Sequence, residues 1–272
     1  MWVRATTAAL IGLAALAVGC RDELPRRPAE VAASNSYLEC VARDLLGPEA
    51  QVSSLAGPGM CPGHFDIRPS QVAELRQCRI LLRLDFQKGL DAKLTGATDE
   101  GLRIVEVRVP GGLCEPAGYV AACRQAADSL VQAGLLERRA ADRRIGEIAA
   151  RADATAARVR REVAGLANTP VLASVHQQRF CTWLGLKVVG TFTGADTAGV
   201  GQVNEAVRKG EQAGVKLIVA NLPEGRRVAD ALARRLGAKV VVFGNFPAAG
   251  GRSPFDDLVV GNVRRLLEAA RP

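Results

Sequence analysis

The residues best suited to chemistry are Cys61 and His64, which lie three positions apart in the loop 57–64. That loop contains three glycines and two prolines, which keep it out of regular helix and strand, so both side chains can turn toward one ion. A thiolate and an imidazole together suit a borderline or soft cation such as Zn²⁺ or Cu⁺, and suit Mg²⁺ or Ca²⁺ less well. The alternative is a Gly- and Pro-rich turn in which the cysteine and the histidine are incidental.

The chain has only one further histidine, His176. It follows a short apolar run, 170–173, that predicts a β-strand, and it precedes a predicted helix, 177–184. A histidine at the start of a helix is often a capping or structural residue, which is the alternative here. We predict instead that His64 and His176 face each other across a cleft, so the elements that carry them must form the two walls.

Short strands alternate with helices in the first half of the chain. Such alternation predicts a parallel sheet with right-handed crossovers, in which ligands bind beyond the carboxyl ends of the strands. The loop with Cys61 and His64 falls at such an end. The predicted strands are 31–33, 52–55, 80–84 and 103–109, and the predicted helices are 37–46, 69–75 and 115–131.

The same alternation returns in the second half, where each strand ends in a polar or Gly-rich loop. Two α/β lobes are therefore predicted to present their loop edges to each other, with the two histidines on opposite edges. The predicted strands are 170–173, 188–191, 216–220 and 239–243, and the predicted helices are 177–184, 203–213, 226–236 and 256–269.

A long amphipathic helix is predicted between the two halves, over 135–166. Apolar residues recur at three- and four-residue steps from Ile145 to Leu166, which defines one buried stripe. The other faces carry eight arginines and five acids, with i,i+4 partners such as Glu147 and Arg151. At 1.5 Å per residue, roughly 30 residues span about 45 Å, the size of a lobe. One helix can therefore cross the molecule and join its halves.

Residues 1–19 have the pattern of a signal peptide, with one positive charge, an apolar run over 8–18 and small residues ahead of Cys20. The apolar run is too short to span a bilayer comfortably. The pattern resembles a bacterial lipobox, which predicts that Cys20 is lipidated and that the Pro-containing segment 20–30 is a tether. The alternative is an ordinary cleaved signal with an incidental cysteine.

The overall composition predicts a globular protein and argues against nucleic-acid binding. Apolar residues make up 48% of the chain, which excludes general disorder. The net charge is +8, but only 4% of residues are aromatic, and no basic run is interleaved with Tyr or Phe. We therefore attribute the arginines to a solvated surface.

Six cysteines remain after Cys20, and in an exported chain they raise the question of disulfides. Cys40 and Cys123 lie in apolar, helical surroundings and are predicted to be buried as small hydrophobic residues. A bridge between Cys40 and Cys78 within the first lobe is an alternative that the sequence leaves open.

From residue 31 onward the chain resembles the zinc- and manganese-binding lipoproteins of bacterial ABC importers, whose two lobes are joined by one long rigid helix. The resemblance rests on the order of elements, on Pro62-Gly63-His64 followed by Pro69-Ser70, and on Val175-His176 with Phe180 and Leu184-Gly185-Leu186 after it. It implies a first lobe over 31–133, a linking helix over 134–167 and a second lobe over 168–272. It also implies that His64 and His176 are metal ligands, one from each lobe.

The chain departs from this family at the other ligand positions. Cys114, just ahead of Pro116, stands where the family usually has a third histidine. The acidic ligand of the second lobe is replaced by Gly244 or Asn245, and another frequently acidic position is Asn221. The resemblance therefore points to a modified ligand set.

Two cysteines and two histidines would make a closed tetrahedral site, which favours zinc as the bound cargo, with copper(I) and manganese as alternatives. A disulfide between Cys61 and Cys114 at the entrance of the site is a further alternative. The implied ligands are His64, His176, Cys61 and Cys114, with Glu224 and Asp196 as weaker candidates.

The function implied by the resemblance is capture of a transition-metal ion between the lobes and its delivery to the membrane subunits of an ABC permease. The protein is then an extracytoplasmic, lipid-anchored monomer of the cell envelope. One alternative is a zinc- or thiol-dependent enzyme with Glu115 as its base. Two histidines supply no HExxH motif and no Ser/His/Asp set, so we predict that the chain is not an enzyme. The other alternative is a degenerate homologue that binds no metal and docks with a partner.

Overall fold

The structure is a computed structural model that describes residues 29–57, 67–248 and 253–271. The predicted signal peptide and Cys20 lie outside these residues, as do Cys61 and His64. Two four-stranded sheets form two lobes, and the strand pairs in both sheets are parallel. The fold class predicted from the alternation of strands and helices is confirmed.

The first sheet has the strand order β2-β1-β3-β4. Its two central strands, β1 and β3, are buried along their whole length, which explains their continuous apolar runs. The strands are β1 (Val31–Ala33), β2 (Val52–Ser54), β3 (Ile80–Leu84) and β4 (Arg103–Val107), and the helices are α1 (Ser36–Leu46), α2 (Pro69–Leu75), α3 (Thr95–Thr98) and α4 (Pro116–Gln132).

Two features of the first lobe differ from the sequence-based prediction. β4 ends at Val107 because the next N–H, that of Arg108, leaves the ladder and donates to Gln125 Oε1 at 3.0 Å. A 3₁₀ segment, Asp85–Lys93, and the short helix α3 were not predicted. Both are short and contain a glycine, so neither shows an apolar repeat that indicates a helix.

The second sheet repeats the arrangement of the first, with the strand order β6-β5-β7-β8. The central strands β5 and β7 are again the most buried. The strands are β5 (Pro170–Ser174), β6 (Lys187–Phe192), β7 (Leu217–Asn221) and β8 (Lys239–Phe243), and the helices are α6 (Gln178–Trp183), α7 (Val200–Ala213), α8 (Arg227–Leu236) and α9 (Pro254–Ala270).

The helix α5 (Arg138–Glu162) joins the two lobes, as predicted. Its buried residues, Ala141, Ile148, Ala152 and Val159, belong to one apolar core that both lobes share. Each lobe has a further core of its own on the other side of its sheet. Among the described helices, none is both long enough and apolar enough to cross a membrane.

The predicted ion pair between Glu147 and Arg151 on α5 is wrong. Arg151 instead contacts Asp44 of α1 at 2.5 Å and Asp256 of α9 at 2.6 Å, and Glu147 lies 3.4 Å from Arg144. The Asp44 and Asp256 side chains are only 17% and 12% exposed, so these two carboxylates draw Arg151 toward the joint between the lobes. One cation therefore connects the first lobe, the linking helix and the second lobe.

Aromatic rings pack beside this ion cluster. Tyr119 of α4 stacks on Phe255 of α9 with ring centres 3.9 Å apart, and Tyr37 of α1 meets both rings edge-on at 5.4 Å and 6.0 Å. The Tyr119 hydroxyl donates to Asp44 at 2.8 Å. The joint is therefore both apolar and charged, and it is formed by helices from both lobes.

The described cysteines, Cys40, Cys78, Cys114, Cys123 and Cys181, are all buried free thiols. The predicted burial of Cys40 and Cys123 among apolar residues is confirmed. The alternative of a bridge between Cys40 and Cys78 is wrong because Cys40 packs in the shared core and Cys78 in the separate core across the first sheet.

Candidate metal centre

Buried polar side chains lie at the carboxyl ends of strands in both sheets. Ser34 and Asn35 come after β1, Ser174 and Asn221 end β5 and β7, and Asn245 comes after β8. Because the strands of each sheet are parallel, these side chains gather at one edge of each sheet. This is the edge at which the sequence predicts the site.

Gln177 organises the edge of the second lobe. It lies between β5 and α6 and is fully buried. Its Nε2 donates to Asn221 Oδ1 at 3.1 Å and to Asn245 Oδ1 at 2.7 Å, so it ties the ends of β7 and β8 to the start of α6. Its Oε1 is also buried and has no hydrogen-bond partner within the described part of the chain.

His176 lies beside Glu224 at the same edge. The imidazole is 58% exposed, and its Nε2 is 3.7 Å from Glu224 Oε1. Glu224 is held in place because it accepts hydrogen bonds from Ser174 Oγ at 2.5 Å and from the Gly194 N–H at 2.9 Å. The backbone N–H of His176 donates to the same Ser174 Oγ at 3.2 Å. The structure thus brings two of the predicted candidates together.

Asp196 is not part of this group. It lies exposed in the loop after β6, and no described hydrogen bond or ion pair joins it to His176 or Glu224. Of the two predicted carboxylates, Asp196 therefore lies in solvent, while Glu224 lies 3.7 Å from the imidazole.

Cys114 connects the first lobe to the second. Its thiol is buried, donates to the Gly244 carbonyl at 3.1 Å and lies 3.5 Å from Asn245 Oδ1. Asn262 of α9 fixes this carbonyl: its Nδ2 donates to the Gly244 oxygen at 3.0 Å, and its Oδ1 accepts from the Gly244 N–H at 2.9 Å. Burial raises the pKa of the Cys114 thiol well above its ordinary value. The thiol is therefore a hydrogen-bond donor across the joint.

Glu115, the base considered for an enzyme, lies next to Cys114 but in a positively charged setting. Burial raises the pKa of the Glu115 carboxyl, and the nearby Arg179 and Arg160 act in the opposite direction. These arginines belong to α6 and α5, so the positive charge that acts on the carboxyl comes from outside its own lobe.

The edge of the first lobe is closed by Gln87. Its Oε1 accepts hydrogen bonds from Ser34 Oγ at 2.6 Å, from Asn35 Nδ2 at 3.1 Å and from the Leu84 N–H at 3.1 Å. Asn35 Oδ1 in turn accepts from the Leu38 N–H at 3.1 Å and caps α1. These polar groups satisfy one another within the lobe.

Of the predicted metal ligands, the structure describes His176 and Cys114 together with Glu224 and Asp196. Within the described ranges, no three His, Cys, Asp or Glu side chains lie close enough to hold a metal ion. The roles of Cys61 and His64 stay predictions. Gln177 was missed, and its only sequence signal is a polar residue next to His176 at the start of a helix.

Comparison with known proteins decides the family. The family of the periplasmic zinc-uptake complex component A, ZnuA, matches residues 31–269, which include both lobes and the linking helix. The chain belongs to the ZnuA family. The resemblance to metal-binding proteins of ABC importers is therefore confirmed. No curated protein matches the chain.

Solved structures of ZnuA-type proteins share its fold at low sequence identity. A crystal structure of ZnuA is 12% identical with a TM-score of 0.74, covering 88% of this chain and 98% of that chain. The laminin-binding protein Lmb of Streptococcus agalactiae, an adhesin with metal-transporting activity, is 14% identical with a TM-score of 0.73, covering 89% and 99%. A manganese-bound periplasmic metal-binding protein from Candidatus Liberibacter asiaticus is 12% identical with a TM-score of 0.73, covering 88% and 98%. The two-lobed architecture is thus that of the ZnuA fold.

Proposed function

We propose that this protein is the extracytoplasmic binding component of an ABC importer and captures a transition-metal ion, most favourably zinc, between its lobes for delivery to a membrane permease. The observation that carries the proposal is the ZnuA family match over 31–269. The similarity to a zinc-bound ZnuA variant and to a manganese-bound protein supports a metal cargo. The proposed role involves binding and transfer, with no chemical step.

The proposed ligands come from both lobes. The loop of the first lobe supplies His64 and Cys61. The residues just before α4 supply Cys114, and those just after β5 supply His176. The 3.7 Å approach of Glu224 Oε1 to His176 Nε2 supports a role for that carboxylate in orienting the imidazole. A carboxylate behind a metal-binding histidine raises its basicity and fixes its ring.

The proposed preference for zinc follows from the charge of the donor set. Asn221 stands at one position where the resemblance places an acid, and Gly244 or Asn245 stands at another, so the anionic ligands of the proposed set are cysteine thiolates. Thiolate and imidazole donors favour zinc and copper(I), whereas carboxylate oxygens favour manganese. We therefore place manganese last among the three.

Loading is proposed to exchange one contact between the lobes for another. The Cys114 thiol now donates to the Gly244 carbonyl at 3.1 Å. A metal ion bound to Cys114 Sγ takes the place of the thiol proton, so the hydrogen bond is replaced by a metal bond that also reaches the second lobe. With α5 packed into the shared core, we expect local rearrangement of loops in place of a large swing of the lobes.

The proposed anchoring depends on the N-terminal residues. We propose that 1–19 are a signal peptide, that Cys20 carries lipid and that 20–30 are the tether of a monomer in the cell envelope. The proposed domains are the first lobe over 31–133, the linking helix over 134–167 and the second lobe over 168–272.

The deciding experiment is a competitive zinc titration of the purified chain with reduced thiols, beside His64→Ala, His176→Ala and Cys114→Ala. We expect one tight zinc site that each substitution weakens by at least about tenfold, as loss of a direct ligand requires. Asp196→Ala is the matched control, because it removes an exposed carboxylate near the site, and it should bind as the parent does. Failure of the parent chain to bind zinc, copper(I) or manganese would overturn the proposal.

A specific observation also favours a second candidate, a family member that docks with a partner without metal. The buried amides of Gln177, Asn221 and Asn245 and the hydrogen-bonded Cys114 thiol already form a neutral network at the joint between the lobes. A network of this kind holds the lobes together without an ion. The same titration separates the two candidates, since this one requires a stable fold and no metal affinity.

A further inference from the structure

The side chain of Gln177 presents a carbonyl oxygen that accepts no hydrogen bond from the described residues. The residue is fully buried, and its Oε1 has no hydrogen-bond partner. Buried carbonyl oxygens are nearly always paired with a donor or a cation, because an unpaired one has lost its water and gained nothing in exchange. The oxygen therefore points to a missing partner.

The position of this oxygen is fixed by the other half of the same amide. Gln177 Nε2 donates to Asn221 Oδ1 at 3.1 Å and to Asn245 Oδ1 at 2.7 Å. Two bonds from one nitrogen fix the plane of the amide and leave little freedom to the oxygen. With Asn221 and Asn245 oriented as they are, a flipped Gln177 amide would put its oxygen against two acceptors.

The surroundings indicate what the partner is. Gln177 directly follows His176 in the chain, and its Nε2 shares the acceptor Asn245 Oδ1 with the Cys114 thiol, at 2.7 Å and 3.5 Å. The amide group of Gln177 is thus next to one proposed ligand in sequence and is linked through Asn245 Oδ1 to another. A neutral amide oxygen is an ordinary ligand for a divalent cation, although a weaker one than a carboxylate.

We propose that Gln177 Oε1 is a neutral oxygen ligand of the captured divalent metal ion and that it determines which metal the site prefers. This inference rests on the proposed function, because it concerns the same site. An amide in place of a carboxylate adds an oxygen donor without adding charge. The site therefore retains zinc through its thiolates and imidazoles and discriminates against manganese, which depends on carboxylate oxygens.

Two substitutions at one position test this with effects of opposite sign. Gln177→Met keeps the length of the side chain and removes the oxygen, so zinc affinity should fall by about tenfold or more. Gln177→Glu keeps an oxygen and adds a charge, so manganese affinity should rise by about tenfold while zinc is held at least as tightly. Asn221 and Asn245 can turn their amide groups to donate to the new carboxylate.

The matched control is Gln178→Glu, which adds the same charge at the next, exposed residue. A screened surface charge should change either affinity by less than about twofold. The experiment is a competitive titration of the full chain with zinc and with manganese, thiols reduced, together with a thermal melt of each metal-free variant to verify folding.

The outcomes separate this inference from the proposed function. If Gln177→Met and Gln177→Glu weaken zinc binding equally, the hydrogen bonds of Nε2 matter and ligation by Oε1 is overturned. If the parent binds zinc and neither variant changes the zinc or manganese affinity, Oε1 is not a ligand. The inference then fails while the proposed function stands. If the parent binds no metal, the proposed function and this inference fail together.

Discussion

The two lobes have the same sheet topology, but the buried glutamines at their edges differ in hydrogen bonding. Both sheets have the same strand order, and each edge contains a buried glutamine that bonds residues following the strands, Gln87 in the first lobe and Gln177 in the second. The Gln87 oxygen accepts three hydrogen bonds from its own lobe, whereas the Gln177 oxygen accepts none. The described part of the first edge is therefore closed on itself, while that of the second has an unused acceptor.

This difference distinguishes the hydrogen bonds that stabilise the fold from the polar groups that are available to a ligand. Hydrogen bonds that end within a lobe stabilise the fold and are not available to a ligand. The second edge keeps an unpaired oxygen and a half-exposed imidazole, and it holds Cys114 of the first lobe through the Gly244 carbonyl. A repeated architecture can thus place a fully bonded glutamine on one edge and a glutamine with an unused oxygen on the other, with the residue types alone making the difference.

The comparison of the two edges depends on the lobes being held together at their joint. We expect Arg151→Met to weaken this joint and to cause the largest loss of stability. The substitution leaves Asp44 and Asp256 mostly buried without their cation, and uncompensated carboxylates of this kind cost about 3 kcal/mol of unfolding free energy. Urea denaturation measures the loss. Arg144→Met is the control, because its pair with Glu147 is exposed and is worth less than about 0.5 kcal/mol. Equal stability of the two variants would mean that the Arg151 cluster does not join the lobes.

The closed edge should respond to Gln87→Leu in stability and not in binding. Ser34, Asn35 and the Leu84 N–H lose their shared acceptor, so we expect a loss of about 2 kcal/mol with zinc affinity within about twofold of the parent. Gln177→Leu removes two hydrogen bonds but also the unpaired oxygen, and should cost only about 1 kcal/mol. A reversal of this order, in melts of the metal-free chain, would contradict the distinction between the edges.

Both lobes should lose stability in alkali because each buries a thiol. Burial raises the pKa of Cys40 and that of Cys181 from 9.0 to about 12. Above pH 9 the unfolded chain releases these protons and the folded chain keeps them, so stability falls as pH rises. Each thiol should contribute a loss of about 1 kcal/mol between pH 9 and pH 10.

The control for this pH dependence is the parent chain beside Cys40→Ala and Cys181→Ala, unfolded in urea at both pH values. Each variant should lose about 1 kcal/mol less than the parent over the interval. The same dependence in all three proteins would show that these thiols are not the groups that titrate.

The smallest predicted effects concern Tyr37 and Tyr119 at the joint between the lobes. Like the two glutamines, they differ in whether the polar atom has a hydrogen-bond partner. The Tyr37 hydroxyl is buried and has no hydrogen-bond partner, so Tyr37→Phe should leave stability unchanged or raise it by about 0.5 kcal/mol. Tyr119 donates to Asp44 at 2.8 Å, so Tyr119→Phe should lower stability by about 1 kcal/mol. Calorimetric melts measure both, and a loss in Tyr37→Phe equal to that in Tyr119→Phe would reveal a partner for the Tyr37 hydroxyl.

Local patterns in the sequence predicted the order of elements and the fold class. Apolar runs such as 80–84 and 239–243 correspond to strands with those same ends, and the stripe from Ile145 onward marks α5. These patterns are readable because strands buried in a parallel sheet have continuous apolar runs, whereas burial along a helix follows a period of about 3.6 residues. His176 was placed correctly after β5 for the same reason.

The partners of the polar side chains were decided only by how the sheets and helices pack. Gln177 meets Asn245 from 68 positions away, Arg151 meets Asp44 from 107, and Cys114 meets Gly244 from 130. No local period connects residues this far apart, which is why the neighbouring Glu147 was predicted as the partner of Arg151. Distance, geometry and burial determine the partner of a side chain after the elements have assembled. The unused oxygen of Gln177 is therefore a property of the folded chain alone.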